Sequence, residues 1–179
     1  MISLSPQFDI VYTYFDDIHQ TELSMIINGI NILAFEHNGD IFTTRWNLDE
    51  LVIWLHTFLN QLQEDPYPVQ VDGEYAAIKD ENAREFDSDD INEFDAYYDK
   101  LDEWNLHHRW HTASSGAILA DIYFQLVGDY IEISWNNIDC EDGFTFQNIF
   151  GGCRIPKEIF ILEVSAFLEA YDKHWYSQP

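Results

Sequence analysis

The chain has 179 residues, with 33 Asp and Glu against 8 Lys and Arg, and a formal net charge of −25. Acidic disordered chains are poor in aromatics, but 16% of this one is Phe, Tyr or Trp, so wholesale disorder is excluded. So few cations also exclude a self-sufficient grip on DNA, RNA or an anionic membrane, because affinity for phosphate comes largely from Lys and Arg.

Length predicts one domain. Two cysteines, Cys140 and Cys153, are too few for a disulfide-built secreted domain. The first residues lack the basic and apolar regions of a signal peptide, and no apolar run approaches the ~20 residues that span a bilayer. The expectation is a soluble, cytoplasmic protein.

Residues 1–45 predict a β-meander. Residues 8–15, 21–27, 30–36 and 41–45 are rich in β-branched and aromatic side chains, and Asn28-Gly29 and Asn38-Gly39 separate them. Asn-Gly between such runs is a strong hairpin signal, because both residues tolerate the positive φ of a type I′ turn. A helix is predicted over 47–63, with Asn47 as N-cap and Glu50 three residues on. Leu48, Leu51, Leu55, Phe58, Leu59 and Leu62 follow at helical spacing.

Residues 74–105 predict an acidic helical segment. Eleven acids fall within 80–103, against Arg84 and Lys100. Ile91, Phe94, Tyr98 and Leu101 recur at +3, +4 and +3, which makes one apolar stripe. Asp87, Ser88 or Asp89 is placed to cap the helix. From Leu106 to residue 150 the pattern predicts strands, with a hairpin across Gly128-Asp129 and a strand over 144–149 ending at Gly151-Gly152. Pro156 opens a last helix over 156–175. Strands, helices, strands and helix in that order predict a single-domain α+β fold, with an antiparallel sheet drawn from both halves and packed by two or three helices.

Catalytic motifs are missing. The sequence has no phosphate loop with its Lys, dinucleotide fingerprint, HExxH or GxSxG. The stretch from Asp87 lacks the sixth-position Gly of a calcium loop and has Ile91 where an oxygen ligand belongs. His107, His108 and His111, around Arg109 and Trp110, form the most unusual local cluster. With Cys140, Cys153, Asp139 or Glu141 they would offer zinc a ligand set. The alternative is that these His and Arg side chains offset the charge of the acidic helix before them. Cys153, beside Arg154, is a candidate nucleophile and otherwise a packed thiol. The expectation is no cofactor, no bound metal and no catalysis, with a hydrolase or metal enzyme built on those residues as the last alternative.

His108-Arg109-Trp110-His111, Gly116, Asp121-Ile122-Tyr123-Phe124, Val127-Gly128-Asp129 and Ile131-Glu132-Ile133-Ser134-Trp135 resemble a block of about 30 residues in uncharacterised bacterial proteins encoded near toxin–immunity and phage-defence genes. The whole chain also resembles small acidic immunity proteins. The first likeness carries no catalytic assignment, and no functional residue is taken from either.

A net charge this large opposes compaction and calls for an explanation. The simplest is solubility, and a more specific one is a partner with a strongly basic surface. Electrostatic steering speeds such encounters, and aromatic anchors hold them. The helix at 88–104 offers Asp90, Glu93, Asp95, Asp99, Asp102 and Glu103 outward, with Tyr97 and Trp104 as anchors. The expected function is inhibition of a basic nucleic-acid-acting protein by an immunity protein or antitoxin. A phage anti-CRISPR or anti-restriction mimic of nucleic acid is the alternative, and a binding module for a non-basic partner is another.

Overall fold

A computed structural model describes residues 7–110, 120–138 and 143–177. Four helices and three antiparallel sheets give the predicted α+β fold. No helix among the described residues is long and apolar enough to cross a membrane.

Strand β1 (Phe8–Phe15) pairs with β2 (Gln20–Ile27) along its whole length, from Phe8↔Ile27 to Phe15↔Gln20. Alternation decides which face is buried. Thr21, Leu23, Met25 and Ile27 point inward, opposite Tyr14, Tyr12, Ile10 and Phe8. Asn28 and Gly29 take φ of 52° and 81°, as a type I′ turn requires. The long helix α4 (Lys157–Trp175) lies along β1, with Phe160 stacked on Phe8 and Phe167 against Tyr12.

The expected single meander is instead six short strands in two sheets. The run at 30–36 breaks because the Asn31 side chain accepts from the Leu33 and Met25 amides. Only β3 (Ile30–Asn31) stays beside β2, while β4 (Phe35–His37) turns away. β4 pairs with β5 (Asp40–Phe42) across Asn38-Gly39, and β6 (Thr44–Trp46) returns to β2. The small sheet joins the two halves of the chain, since β9 (Thr145–Phe146) is its third strand. Helix α1 (Asp49–Asn60) starts two residues later than expected. Asn47 still accepts from the Asp49 amide at 2.9 Å, although Leu48 holds the cap position.

The central sheet has the order β10-β8-β7, built from β7 (Ile122–Val127), β8 (Tyr130–Asn136) and β10 (Phe150–Pro156). β10 runs through both glycines rather than ending at them. A Cβ on Gly152 would lie 2.6 Å from the Tyr75 ring, and one on Gly151 would run into the Trp135 indole. Aromatic rings cover this strand only because it has no side chains there. One face of the sheet carries Ile122, Phe124, Leu126, Ile131 and Ile133 into the core shared with α1 and α4.

The other face is buried and polar. Glu132 and Ser134 accept from the Ala76 and Ala77 amides at 3.0 and 3.1 Å, which caps the start of α2 (Ala76–Ala83) from across the chain. Asp80, 2% exposed, accepts from the Tyr123 hydroxyl (2.9 Å), Asn105 Nδ2 (3.0 Å), the Tyr67 hydroxyl (3.3 Å) and Arg84 (2.7 and 2.9 Å). Burial alone would raise the Asp80 pKa, but the hydrogen bonds from Asn105 and Arg84 and the Arg84 charge outweigh it, and the carboxyl sits below its usual range. Burial, with neighbouring carboxylate charge second, pushes the Tyr67 and Tyr123 phenols well up, so both remain donors.

Asp80→Asn should destabilise the fold by about 3–5 kcal/mol, because it removes the charge and turns a donor toward donors. A depressed folded pKa contributes stability above the unfolded value of ~3.9 and loses it as pH falls through the folded one. In urea titrations the gap between wild type and Asp80→Asn should therefore be full at pH 6 and shrink below pH ~4. Gly152→Ala should cost roughly 1–3 kcal/mol by the same measurement, through overpacking against Tyr75.

Candidate partner-binding face

The acidic segment forms two helices. After α2 the chain turns at 84–90 and enters α3 (Ile91–His108). Asp90 is the N-cap, accepting from the Asn92 amide at 2.9 Å, in place of the three caps predicted from sequence. Ser88 donates to Glu93 at 2.8 Å and accepts from the Asp90 amide, which ties the entering chain to the first turn. The Tyr98 hydroxyl holds the preceding turn through the Arg84 and Phe86 carbonyls, both at 3.1 Å.

Where the sequence predicted a strand from residue 106, α3 continues for another turn. Its buried stripe is Leu101, Trp104, Asn105 and His108, while Ile91, expected inside, is 65% exposed. Trp104 is therefore not a surface anchor. It is 3% exposed, donates to the Asp65 carbonyl at 3.3 Å, packs edge-on to Tyr67 and stacks on His108 at 4.2 Å. Tyr97 is half-buried with its ring stacked on Phe86 at 3.9 Å, so its face is already covered.

The carboxylates are where the sequence put them. Asp90, Glu93, Asp95, Asp99, Asp102 and Glu103 are all exposed, and Asp90 and Glu93 also serve the helix start. Several of the cations that would offset them are engaged elsewhere. Arg84 binds Asp80, Arg109 holds Asp121 through two bonds of 2.6 and 2.5 Å, Arg154 reaches Glu132, and Lys173 pairs with Glu169. Arg45 lies over the Phe15 ring at 3.8 Å. Lys100 is the one cation within α3 itself.

Of the histidine cluster, only His107 and His108 fall among the described residues. His108 is buried, with Nδ1 2.8 Å from the Phe124 carbonyl and Nε2 3.2 Å from Asp65. His107 is exposed, and His111, Asp139, Cys140 and Glu141 lie outside the described residues. Among the described residues, no group of three or more His, Cys, Asp or Glu is placed to hold a metal ion. His108 and Arg109 do meet acids, but these are Asp65 and Asp121 rather than the outer face of α3. Cys153 sits on β10 opposite Ile133. Burial and then the Glu132 charge push its thiol up to about 12, the reverse of what a nucleophile needs. Arg154 does not counter this, because its guanidinium goes to Glu132 at 3.2 Å.

In a Cys140→Ser background, iodoacetamide at pH 8 should modify native Cys153 on the order of 100-fold more slowly than the denatured chain, since so little thiolate forms. Equal rates in the two states would return Cys153 to the candidate nucleophiles.

The chain matches no protein-family model, and comparison with curated proteins and with solved structures finds no similar protein.

Proposed function

We propose that this chain is a non-catalytic acidic inhibitor that uses the outer face of α3 to occlude a basic, nucleic-acid-acting partner protein, in the manner of a toxin immunity protein or antitoxin. The observation that carries the reading is the linear charge of that face. Glu93, Asp95, Asp99, Asp102 and Glu103 cover ten residue steps, about 15 Å of helix axis. With Lys100 subtracted, this is about one negative charge per 4 Å, close to the ~3.4 Å per charge of a nucleic-acid strand. A groove evolved for phosphates meets a similar field here, on a helix already ordered before binding.

The raised Cys153 thiol and the engagement of His108 with Asp65 and the Phe124 carbonyl give a hydrolase or metal enzyme built on those two residues no support. The paired arginines support the inhibitor reading from the other side. Arg84, Arg109 and Arg154 are bound to Asp80, Asp121 and Glu132, which leaves the outer charge of α3 for a partner to neutralise.

The test is capture of the partner from the native host, followed by association kinetics. The partner should be basic, and its association rate should fall as salt rises through ~0.1–0.5 M, where the Debye length shrinks from ~10 Å to a few Å. Asp95, Asp99, Asp102 and Glu103, all changed to Lys, should slow association at least ~10-fold at low salt. The melting temperature should stay near that of wild type, because none of the four side chains is buried. Glu93 is best left intact, since Ser88 depends on it. Association that ignores both salt and charge reversal would sink the assignment.

A further inference from the structure

Resting on that reading, we infer that the groove between α1 and the C-terminal end of α3 seats one apolar side chain from a lysine- or arginine-flanked segment of the same basic partner. Trp54, Thr57 and Phe58 on α1 and Gln61 at its C-cap recur at +3, +1 and +3 and form one wall. Leu106 and His107, at the end of α3, form the opposite wall. The helices are pinned where they meet, because the Trp54 indole donates to the Leu106 carbonyl at 3.1 Å. That carbonyl lies in the last turn of α3, where no intrahelical donor remains. The space between the walls is about 120 Å³. A cavity of roughly 150 Å³ holds benzene, so this smaller groove fits one aliphatic side chain.

Two observations make the occupant cationic around its apolar tip. Asp95, Asp99, Asp102 and Leu106 are spaced +4, +3 and +4, so the acidic stripe of α3 runs directly onto a leucine that is 58% exposed. The α1 side adds no positive charge, since residues 46–78 contain no Lys or Arg. Asp65 lines the groove, and Glu50 and Glu103 lie one helical turn before Trp54 and His107. Ile53, 64% exposed and one turn before Thr57, extends the apolar rim. A second copy of the chain would bring another net charge of −25 to the same place and be repelled. Leu106, Trp54 and Ile53 thus supply the anchors that Trp104 and Tyr97 do not.

The test uses the full-length ¹⁵N-labelled protein and three hexapeptides: Lys-Lys-Leu-Phe-Lys-Lys, Lys-Lys-Ser-Ser-Lys-Lys and Ser-Ser-Leu-Phe-Ser-Ser. The first should move the Trp54 indole and His107 resonances and bind about tenfold or more tightly than the second, the gain expected for burying one apolar side chain. Leu106→Ser should remove that advantage without shifting the melting temperature, because the side chain lies largely in solvent. Equal binding of the charged serine peptide would overturn the inference. So would equal binding of the neutral peptide, which would make the groove a site for any apolar ligand. Sedimentation showing a dimer abolished by Leu106→Ser would assign the groove to a second copy instead. With the captured partner, Leu106→Ser should speed dissociation about tenfold and leave association unchanged. If charge reversal on α3 slows association while Leu106→Ser leaves dissociation unchanged, the groove inference fails and the inhibitor reading stands. If charge reversal has no effect, the inhibitor reading fails whatever the peptides do.

Discussion

The Asp80 carboxylate joins four parts of the chain that are remote in sequence. Its donors come from the loop after α1 (Tyr67), from the end of its own helix (Arg84), from the last turn of α3 (Asn105) and from the central sheet (Tyr123). A buried charge is tolerated only when its hydrogen-bonding capacity is filled. Here the five bonds to one carboxylate also fix where α2 and α3 can sit. Glu132 and Ser134 repeat the arrangement at the start of α2. The second face of the sheet is therefore polar by necessity, because it receives helix ends and side-chain donors rather than an apolar helix face.

This polar layer explains how a helix with so much charge stays docked. Mean apolarity along α3 is low, and only four of its eighteen residues are buried. Hydrophobic burial at ~25 cal/mol per Å² would stabilise such a contact weakly. The directional bonds from Asn105, Trp104 and His108 add to it, and each goes to a different element: Asp80 on α2, the Asp65 carbonyl, and the Phe124 carbonyl on β7. The outer face is then free of any structural demand beyond the helix start, and it can hold acids at every exposed step. Self-repulsion along the helix is the cost, offset in part by ion pairs such as Arg84–Asp80 and Arg109–Asp121.

Sequence reasoning reached the elements whose signal is local. β1, β2, β7, β8 and α4 fall within a residue or so of their expected bounds, because alternation, Asn-Gly turns and a broad apolar helix face all act over a few residues. It failed where a distant partner decides. The strand at 30–36 breaks where Asn31 Oδ1 accepts from the Met25 amide on the neighbouring strand, and β10 passes through two glycines because Tyr75 and Trp135 need the space. The site shows the same division. That Asp95, Asp99, Asp102 and Glu103 face solvent follows from their place off the apolar stripe. That Trp104 is buried depends on Tyr67, Asp65 and His108, of which only His108 is near it in sequence. One signal was available: extending the stripe from Leu101 through Trp104 to His108 keeps helical spacing and would have carried α3 past residue 106.

That extra turn is what brings charge and apolar surface together. Had the chain left the helix at 106, Leu106 would alternate with His107 along a strand, and nothing would meet Trp54. Because the helix continues, Leu106 falls in line with Asp102, Asp99 and Asp95, and its carbonyl receives the Trp54 indole. The position is exposed for the same reason that Trp104 is buried, since the two lie nearly on opposite sides of one helix. A single register thus sorts the aromatic residue into the fold and the aliphatic one onto the surface. Long-range attraction from the acids and short-range contact at the groove act at different distances, the first over roughly a Debye length of ~10 Å and the second only at van der Waals separation. On the proposed function, a basic segment drawn to α3 would feel the field of the stripe before it meets an apolar wall, so steering would precede contact.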